Sequence, residues 1–399
     1  MVNKAIVLAL VAFCESIVAF PSIGHDFGHN PHSHPKKRIN GILPGFDAAA
    51  QKIDVSGAHA FLPPGHSDLR GPSQFVEATN SVFGMGLDLA TFLSTYGAVM
   101  DGDLTSWSIG GAPGTNLLPG LLSPSGGISN SHNKYETDGS PTRGDLYEYG
   151  NDYLVQLSQF KALYAKQANV DNDSANYDLD ILNAFRAERI AQSKLNNPYF
   201  FSAPVSGIAV QPAAYTFIYR FMANKSAEYP EGILNKEVLK SFFAITGEGN
   251  DMTYTPGYER IPQNWYKRAI GDEYTIPFYA TDLNLAALQY PQFLEVGGNT
   301  GTVNSFMGVD LSNLTEGVFN AENLLEGNNL ACFGFQAAIQ FTPDLLKGLV
   351  GDLTGAVNQL VGALGDTLNV LDCPKLESID DSQLKQFPGY TKLKADGSY

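Results

Sequence analysis

Histidine is scarce in this chain, and none follows residue 132. Four of the seven, His25, His29, His32 and His34, crowd into ten residues near the N-terminus, leaving His59, His66 and His132. A hydrolase triad in the order Ser, acid, His therefore cannot be completed, and no Gly-x-Ser-x-Gly turn exists to start one. A zinc hydrolase would need His-Glu-x-x-His or another three-ligand set, which is missing. Gly-x-Gly-x-x-Gly and phosphate-binding loops are also missing, so nucleotide cofactors have no support. Basic charge is thin: 25 Lys and Arg face 41 Asp and Glu, a net charge of −16. The one basic cluster, Lys36-Lys37-Arg38, is too small for a nucleic-acid surface. Long uninterrupted apolar runs are lacking too. The stretch near the C-terminus is broken by Lys347, Asp352 and Asp366, which argues against a membrane span.

What is present describes a globular, exported protein. Apolar residues make up 44% and charged residues 17%, which argues against wholesale disorder. A chain of 399 residues can bury a large core, as one big domain or two ordinary ones. Lys4, the apolar run Ala5 to Phe13 and the small Ala19 read as a secretory signal over residues 1–19. Cys14-Glu15-Ser16 interrupts that run before it could span a bilayer. Residues 20–60, rich in Gly, Pro, His and Ser, read as a linker or pro-segment whose histidines lack a framework to fix a metal. The folded domain is placed at residues 61–380, with a tail at 381–399. Once the signal is removed, Cys332 and Cys373 are the two cysteines left. In an oxidising compartment such a pair most simply forms one disulfide; two free buried thiols is the alternative. Asn172, Asn224 and Asn313 open glycosylation sequons, in keeping with export.

The hydrophobic pattern is helical. Phe75, Val82, Met85, Leu89, Phe92, Tyr96 and Val99 recur at three- and four-residue steps or their sums. Further helices are expected over 146–166, 179–195 and 236–244, with shorter ones near Gln263 and Leu283. A last long helix is expected to start at Thr342-Pro343-Asp344, with Thr342 as N-cap and Pro343 in the first turn. Its stripe runs from Leu345 to Leu371. Strand signals are sparse and there is no repeat of fixed period. The expectation is a mainly α, single-domain protein with irregular loops and at most a small hairpin.

The segment with most chemistry is Tyr135-Glu136-Thr137-Asp138-Gly139-Ser140-Pro141-Thr142-Arg143. A carboxylate, the next residue's carbonyl and a hydroxyl four residues later form a compact oxygen set of the kind hard cations prefer. Taken with Asp68-Leu69-Arg70-Gly71-Pro72 and Ser106-Trp107-Ser108-Ile109-Gly110-Gly111, it resembles the fungal heme-thiolate peroxidases, the chloroperoxidases and unspecific peroxygenases. The resemblance covers roughly residues 60 to 375. It implies a compact helical domain enclosing heme b, with Mg²⁺ or Mn²⁺ held beside a heme propionate by Glu136, the Thr137 carbonyl and Ser140. It also implies a C-terminal disulfide of the span between Cys332 and Cys373.

Two departures qualify the resemblance. In the family, Arg-Gly-Pro runs into Cys-Pro, whose thiolate ligates the iron; here Pro72 is followed by Ser73-Gln74-Phe75. A neutral hydroxyl is a poor iron ligand beside a thiolate. The family's distal Arg and Glu, which move a proton between peroxide oxygens, are matched by Arg220 and Glu228, but with one extra residue between them. His132 and Asp138 are the fallback proton carriers, and Phe75, Phe83, Phe92 and Phe221 could line a channel. The implied activity is peroxide-dependent oxidation or oxygenation of an apolar or aromatic molecule, in the manner of polyketide-pathway members. The alternative is an inactive member acting as a secreted binding or structural protein, or an incomplete gene product. Neither nucleic acid nor a membrane is expected as a partner.

Overall fold

The computed structural model describes residues 46–53, 72–100, 132–133, 136–346 and 371–391. The signal, most of the linker, Asp68–Gly71, Ser106–Gly111 and most of the C-terminal leucine stripe lie outside them. Eight helices of seven residues or more carry the described fold: α1 Pro72–Ala78, α2 Leu87–Met100, α3 Leu157–Tyr164, α4 Leu179–Asn196, α5 Gln211–Met222, α6 Lys236–Phe242, α7 Ile276–Gln289 and α8 Asn329–Leu346. Strands are two residues each. β1 Phe201–Ser202, β4 Gly297–Gly298 and β5 Met307–Gly308 form one antiparallel patch, with Phe201 opposite Gly298 and Gly297 opposite Gly308. β2 Ile245–Thr246 and β3 Thr253–Tyr254 form a hairpin. The architecture is mainly α, as the periodicity predicts.

Local chemistry sets the helix ends. Asp178 caps α4 by accepting from the Ile181 amide at 3.2 Å, and Asn235 caps α6 through Val238 at 2.9 Å. Pro212 sits in the first turn of α5, where its missing N–H costs nothing. A single π-turn, Ser206–Val210, leads into that helix. Several expected bounds need correcting. The helix expected over 146–166 is divided into Leu146–Tyr149 and α3, because Gly150 adopts φ +71° and turns the chain out of the right-handed region. The pattern from Phe75 to Val99 is likewise split, at Gly84 with φ +68°. No helix forms near Gln263, while the one around Leu283 extends to the fourteen residues of α7. α8 begins at Asn329, so Thr342-Pro343-Asp344 lies within it rather than opening it. α5 is absent from the helices that the sequence pattern singles out.

Two apolar cores flank α5. One joins Leu89 and Tyr96 of α2, Phe278 and Leu283 of α7, and Phe333 and Phe335 of α8, with Phe221 from α5. The other gathers Phe160, Leu182, Phe185, Leu239 and Trp265 around Tyr215 and Ile218 of the same helix. Cys332 and Cys373 are joined, tying the segment after residue 371 back to α8 across 41 residues. Gln336 reinforces that tie, donating to the Pro374 carbonyl and accepting from the Leu376 amide, both at 2.8 Å. None of the helices searched among the described residues is long and apolar enough to cross a membrane.

Candidate functional site

The Glu136–Ser140 loop lies buried against α4 and α5, and the reason is a polar stripe on α4. Asn183, Arg186, Arg189 and Ser193, three or four residues apart, and the C-cap Asn197 are all buried. Arg189 donates from Nε to the Ser140 carbonyl at 3.1 Å. Ser193 donates to Asp145 Oδ1 at 3.0 Å, and the Asn197 amide reaches Asp138 Oδ2 at 2.6 Å and Asp145 Oδ2 at 3.2 Å. The loop also clasps itself. Asp138 Oδ1 accepts from the Leu146 amide while Asp145 Oδ1 accepts from the Gly139 amide, each at 3.1 Å. From α5, Gln211 donates to the Asp138 carbonyl at 2.8 Å and Tyr215 to the Gly139 carbonyl at 2.6 Å. Gly139 has φ +74°, and a Cβ there would meet Gln211 Nε2 at 2.6 Å. Only glycine serves at that turn.

Behind the loop stands an acid cluster around one imidazole. His132 Nδ1 is 3.0 Å from Glu136 Oε2 and 3.2 Å from Asp152 Oδ2, and its Nε2 is 3.5 Å from Asp138 Oδ1. All four residues are buried. Burial pushes the Glu136 carboxyl well above its usual range, the Asp152 charge and hydrogen bond push further, and His132 opposes them. Asp145 is pushed up to about 7 by burial and then by Asp138, against the pull of Arg189. Such a set can keep a proton among its carboxylates near neutrality.

Ligand atoms of His132, Glu136 and Asp152 all lie within 4.8 Å of one another. Neighbours about 3 Å apart suit a cation with bonds of about 2.1 Å, and a nitrogen with two carboxylates fits Zn²⁺ or Mn²⁺ as readily as Mg²⁺. Glu136 is therefore paired with His132 and Asp152. Ser140 is buried nearby in sequence, its carbonyl engaged by Arg189, and the Thr137 hydroxyl bonds to Asn133 Oδ1 at 3.2 Å.

Arg220 and Glu228 are not brought together. Arg220 is buried and donates twice to Asp282, at 2.8 and 2.6 Å, a carboxylate that Tyr274 also binds at 2.7 Å. Glu228 is exposed beyond the end of α5. Phe75, Phe83 and Phe92 are half-buried against the cores and Phe221 is buried within one, with Phe83 and Phe221 rings 6.4 Å apart. Of the sequon residues, Asn313 is exposed, while Asn172 and Asn224 are half-buried; the Asn224 side chain accepts from the Tyr266 amide at 2.9 Å.

The sequence profile of "Peroxidase, family 2" matches residues 59–270, just over half of the chain. The chain is 38% identical to the dothistromin biosynthesis peroxidase of Dothistroma septosporum over 416 aligned positions, covering 98% of both proteins. It belongs to the fungal heme-thiolate peroxidase family. An aromatic peroxidase of Fusarium equiseti is 35% identical over 430 positions, covering 96% of this chain and 97% of the relative. An aromatic peroxygenase of Coprinellus radians is 27% identical across 56% of this chain and 81% of its own length.

Thiolate ligation of heme does not fit the residues of this family member. Cys332 and Cys373 are bonded to each other, and Cys14 lies in the expected signal. Ser73 stands at the place after Arg-Gly-Pro. The acid cluster with Asp152, the α4 stripe and Gln211 were not foreseen from sequence. The sequence carries one trace of them, polar residues at helical spacing within α4, which reads as a solvated face until the loop covers it.

Proposed function

We propose that this protein is a secreted, peroxide-using oxidoreductase that oxidises or oxygenates an aromatic or apolar small molecule in a biosynthetic route. We propose further that the chain as it stands lacks the segment that would ligate iron. The observation that carries this is the match to a biosynthetic peroxidase across 98% of both proteins. Both long alignments exceed the 399 residues of this chain, so they open gaps in it, in keeping with a lost block after Pro72. A complete form would take heme b, and a divalent cation held through Glu136 with Thr137 and Ser140 would offset a buried negative charge.

In the chain itself, the residues suited to proton work are His132, Glu136, Asp138 and Asp152. His132 faces carboxylates from both ring nitrogens: a proton on Nδ1 can pass to Glu136 or Asp152, and Nε2 lies 3.5 Å from Asp138. Asn197 keeps Asp138 in place, while Arg189 and Ser193 hold the neighbouring Asp145. Sequencing the transcript across Asp68–Phe75 tests the proposal. A recovered Cys-Pro segment, with a thiolate-type spectrum of the reduced heme–CO complex in that form alone, is the expected result. A thiolate spectrum from the unaltered chain would overturn the claim that the ligand is gone.

The second reading, an inactive secreted binding protein, is favoured by one observation: Ser73 at the ligand's place. A transcript that truly joins Pro72 to Ser73 would select it.

A further inference from the structure

Arg186 is 1% exposed on α4, and two of its three guanidinium nitrogens are hydrogen-bonded. Nε donates to Gln211 Oε1 at 2.9 Å, and Nη2 donates to the Gly207 carbonyl at 3.2 Å. The Phe293 ring covers one face at 3.8 Å. Nη1 is buried and makes no hydrogen bond. Every partner is neutral, so the charge is bonded but not balanced. Glu295, the carboxylate on the same cavity wall, is held by Lys194 at 2.5 Å. Burial lowers the Arg186 guanidinium to about 10, which still leaves it charged at neutral pH. A buried charge without a counter-charge costs several kcal/mol in general, and arginine does not escape by losing its proton.

Arg186 lines a small cavity of about 10 Å³, walled also by Thr137, Ser202, Gly207, Gln211 and Phe293. So little room favours one compact ion over a larger polyatomic anion. Gly207 brings its backbone against the wall: a Cβ there would meet Ser202 Oγ at 2.2 Å. We propose that this cavity binds one monovalent anion of halide size, held by Arg186 Nη1 as the counter-charge of the guanidinium. Water could accept the same hydrogen bond but would leave the charge unbalanced. The bound anion is structural and is not oxidised. It steadies a relay in which Arg186 holds Gln211 and Gln211 holds the Asp138 and Gly139 carbonyls, at 2.8 and 3.4 Å. The site is independent of iron ligation, so it holds whether or not the proposed peroxidase activity does.

Bromide is the probe, used on the full chain as expressed. Thermal unfolding is followed in sodium bromide against sodium gluconate at equal ionic strength, which cancels general screening. The expected result is a saturable rise in melting temperature of about 2–5 °C with bromide alone. Crystals grown in bromide should show an anomalous peak beside Arg186 Nη1. Arg186→Met should abolish the bromide-specific rise. If that variant does not fold, the wild-type salt comparison and the anomalous peak still decide the matter. Equal melting curves in the two salts, or an ordered water with no anomalous peak at Nη1, would overturn the proposal.

Discussion

Arg220 and Arg186 are two buried guanidiniums on neighbouring helices, and their surroundings have opposite character. Around Arg220, burial alone would lower its proton affinity, but the Asp282 charge and hydrogen bonds more than offset this and hold it above the usual value. The pair is bidentate, and Tyr274 satisfies the carboxylate further. Arg186 meets only neutral acceptors and an aromatic face. The first arrangement is closed in charge and in hydrogen bonding, so it serves the core between α5 and α7. The second is open at one atom beside a cavity, so it is poised to hold something. A buried arginine thus marks a site when its charge is unbalanced, more than when its proton affinity is shifted.

The largest effect should come from breaking the closed pair. Asp282→Ala leaves Arg220 charged and buried with its carboxylate gone, at a cost of about 3–5 kcal/mol. Chemical denaturation measures it. Replacing both partners with Leu and Met should recover much of that loss, since packing then replaces a balanced pair. A mild effect of Asp282→Ala alone would mean that Arg220 finds water or another acceptor, and the contrast with Arg186 would weaken.

Gly139→Ala tests the open side through its relay. The alanine must adopt φ +74° and its methyl group would press on Gln211 Nε2 at 2.6 Å, the atom bonded to the Asp138 carbonyl. A loss of about 1–3 kcal/mol is expected, and Asp282 should be unaffected. Measured additivity with Asp282→Ala checks this, because the two changes touch no common partner. Strong coupling between them would show that the two arginine sites are not separate.

The sequence disclosed these regions unequally. The apolar repeats that build α2 and α4 were readable because a single face carries them. The Glu136 segment stood out through the local spacing of its donors, although the fold groups Glu136 with His132 and Asp152. The Cys332–Cys373 pairing was readable from parity, given the expected export. The second environment of α4 was not, because Arg186, Arg189, Ser193 and Asn197 look like a solvated face until a folded loop covers them. Asp152 lay inside what read as a continuous helix, and only the turn at Gly150 carries the chain away to where Asp152 can face His132. Arg220 paired in sequence with a nearby acid, Glu228, whereas the carboxylate it binds is 62 residues away on α7. Long-range charge pairing leaves no periodic trace.

A third arginine falls between the other two. Arg189 Nη2 is 3.4 Å from Asp145, a carboxylate that also sits beside Asp138. Because burial and then Asp138 raise Asp145 to about 7 from 3.8, the folded state binds more protons than the unfolded state between those values. Stability should therefore fall as pH rises from about 4 to 7, by up to ~1.4 kcal/mol per pH unit for one proton. Asp145→Asn removes this titration, so its denaturation midpoint should vary less over that window. Unchanged slopes in wild type and variant would show that Asp145 carries no proton in the folded state.

The smallest effect should belong to Arg186→Met in halide-free buffer. Methionine fills similar space against Phe293 and removes an unbalanced buried charge, which favours the folded state. It also leaves Gln211 Oε1 and the Gly207 carbonyl without their donor, which disfavours it. These terms oppose each other, and the net change should stay within about 1 kcal/mol. Adding bromide should then stabilise the wild type alone and open a gap between the two proteins. A loss as large as that of Asp282→Ala in halide-free buffer would mean that Arg186 is already balanced within the fold, and the contrast between the two arginines would collapse.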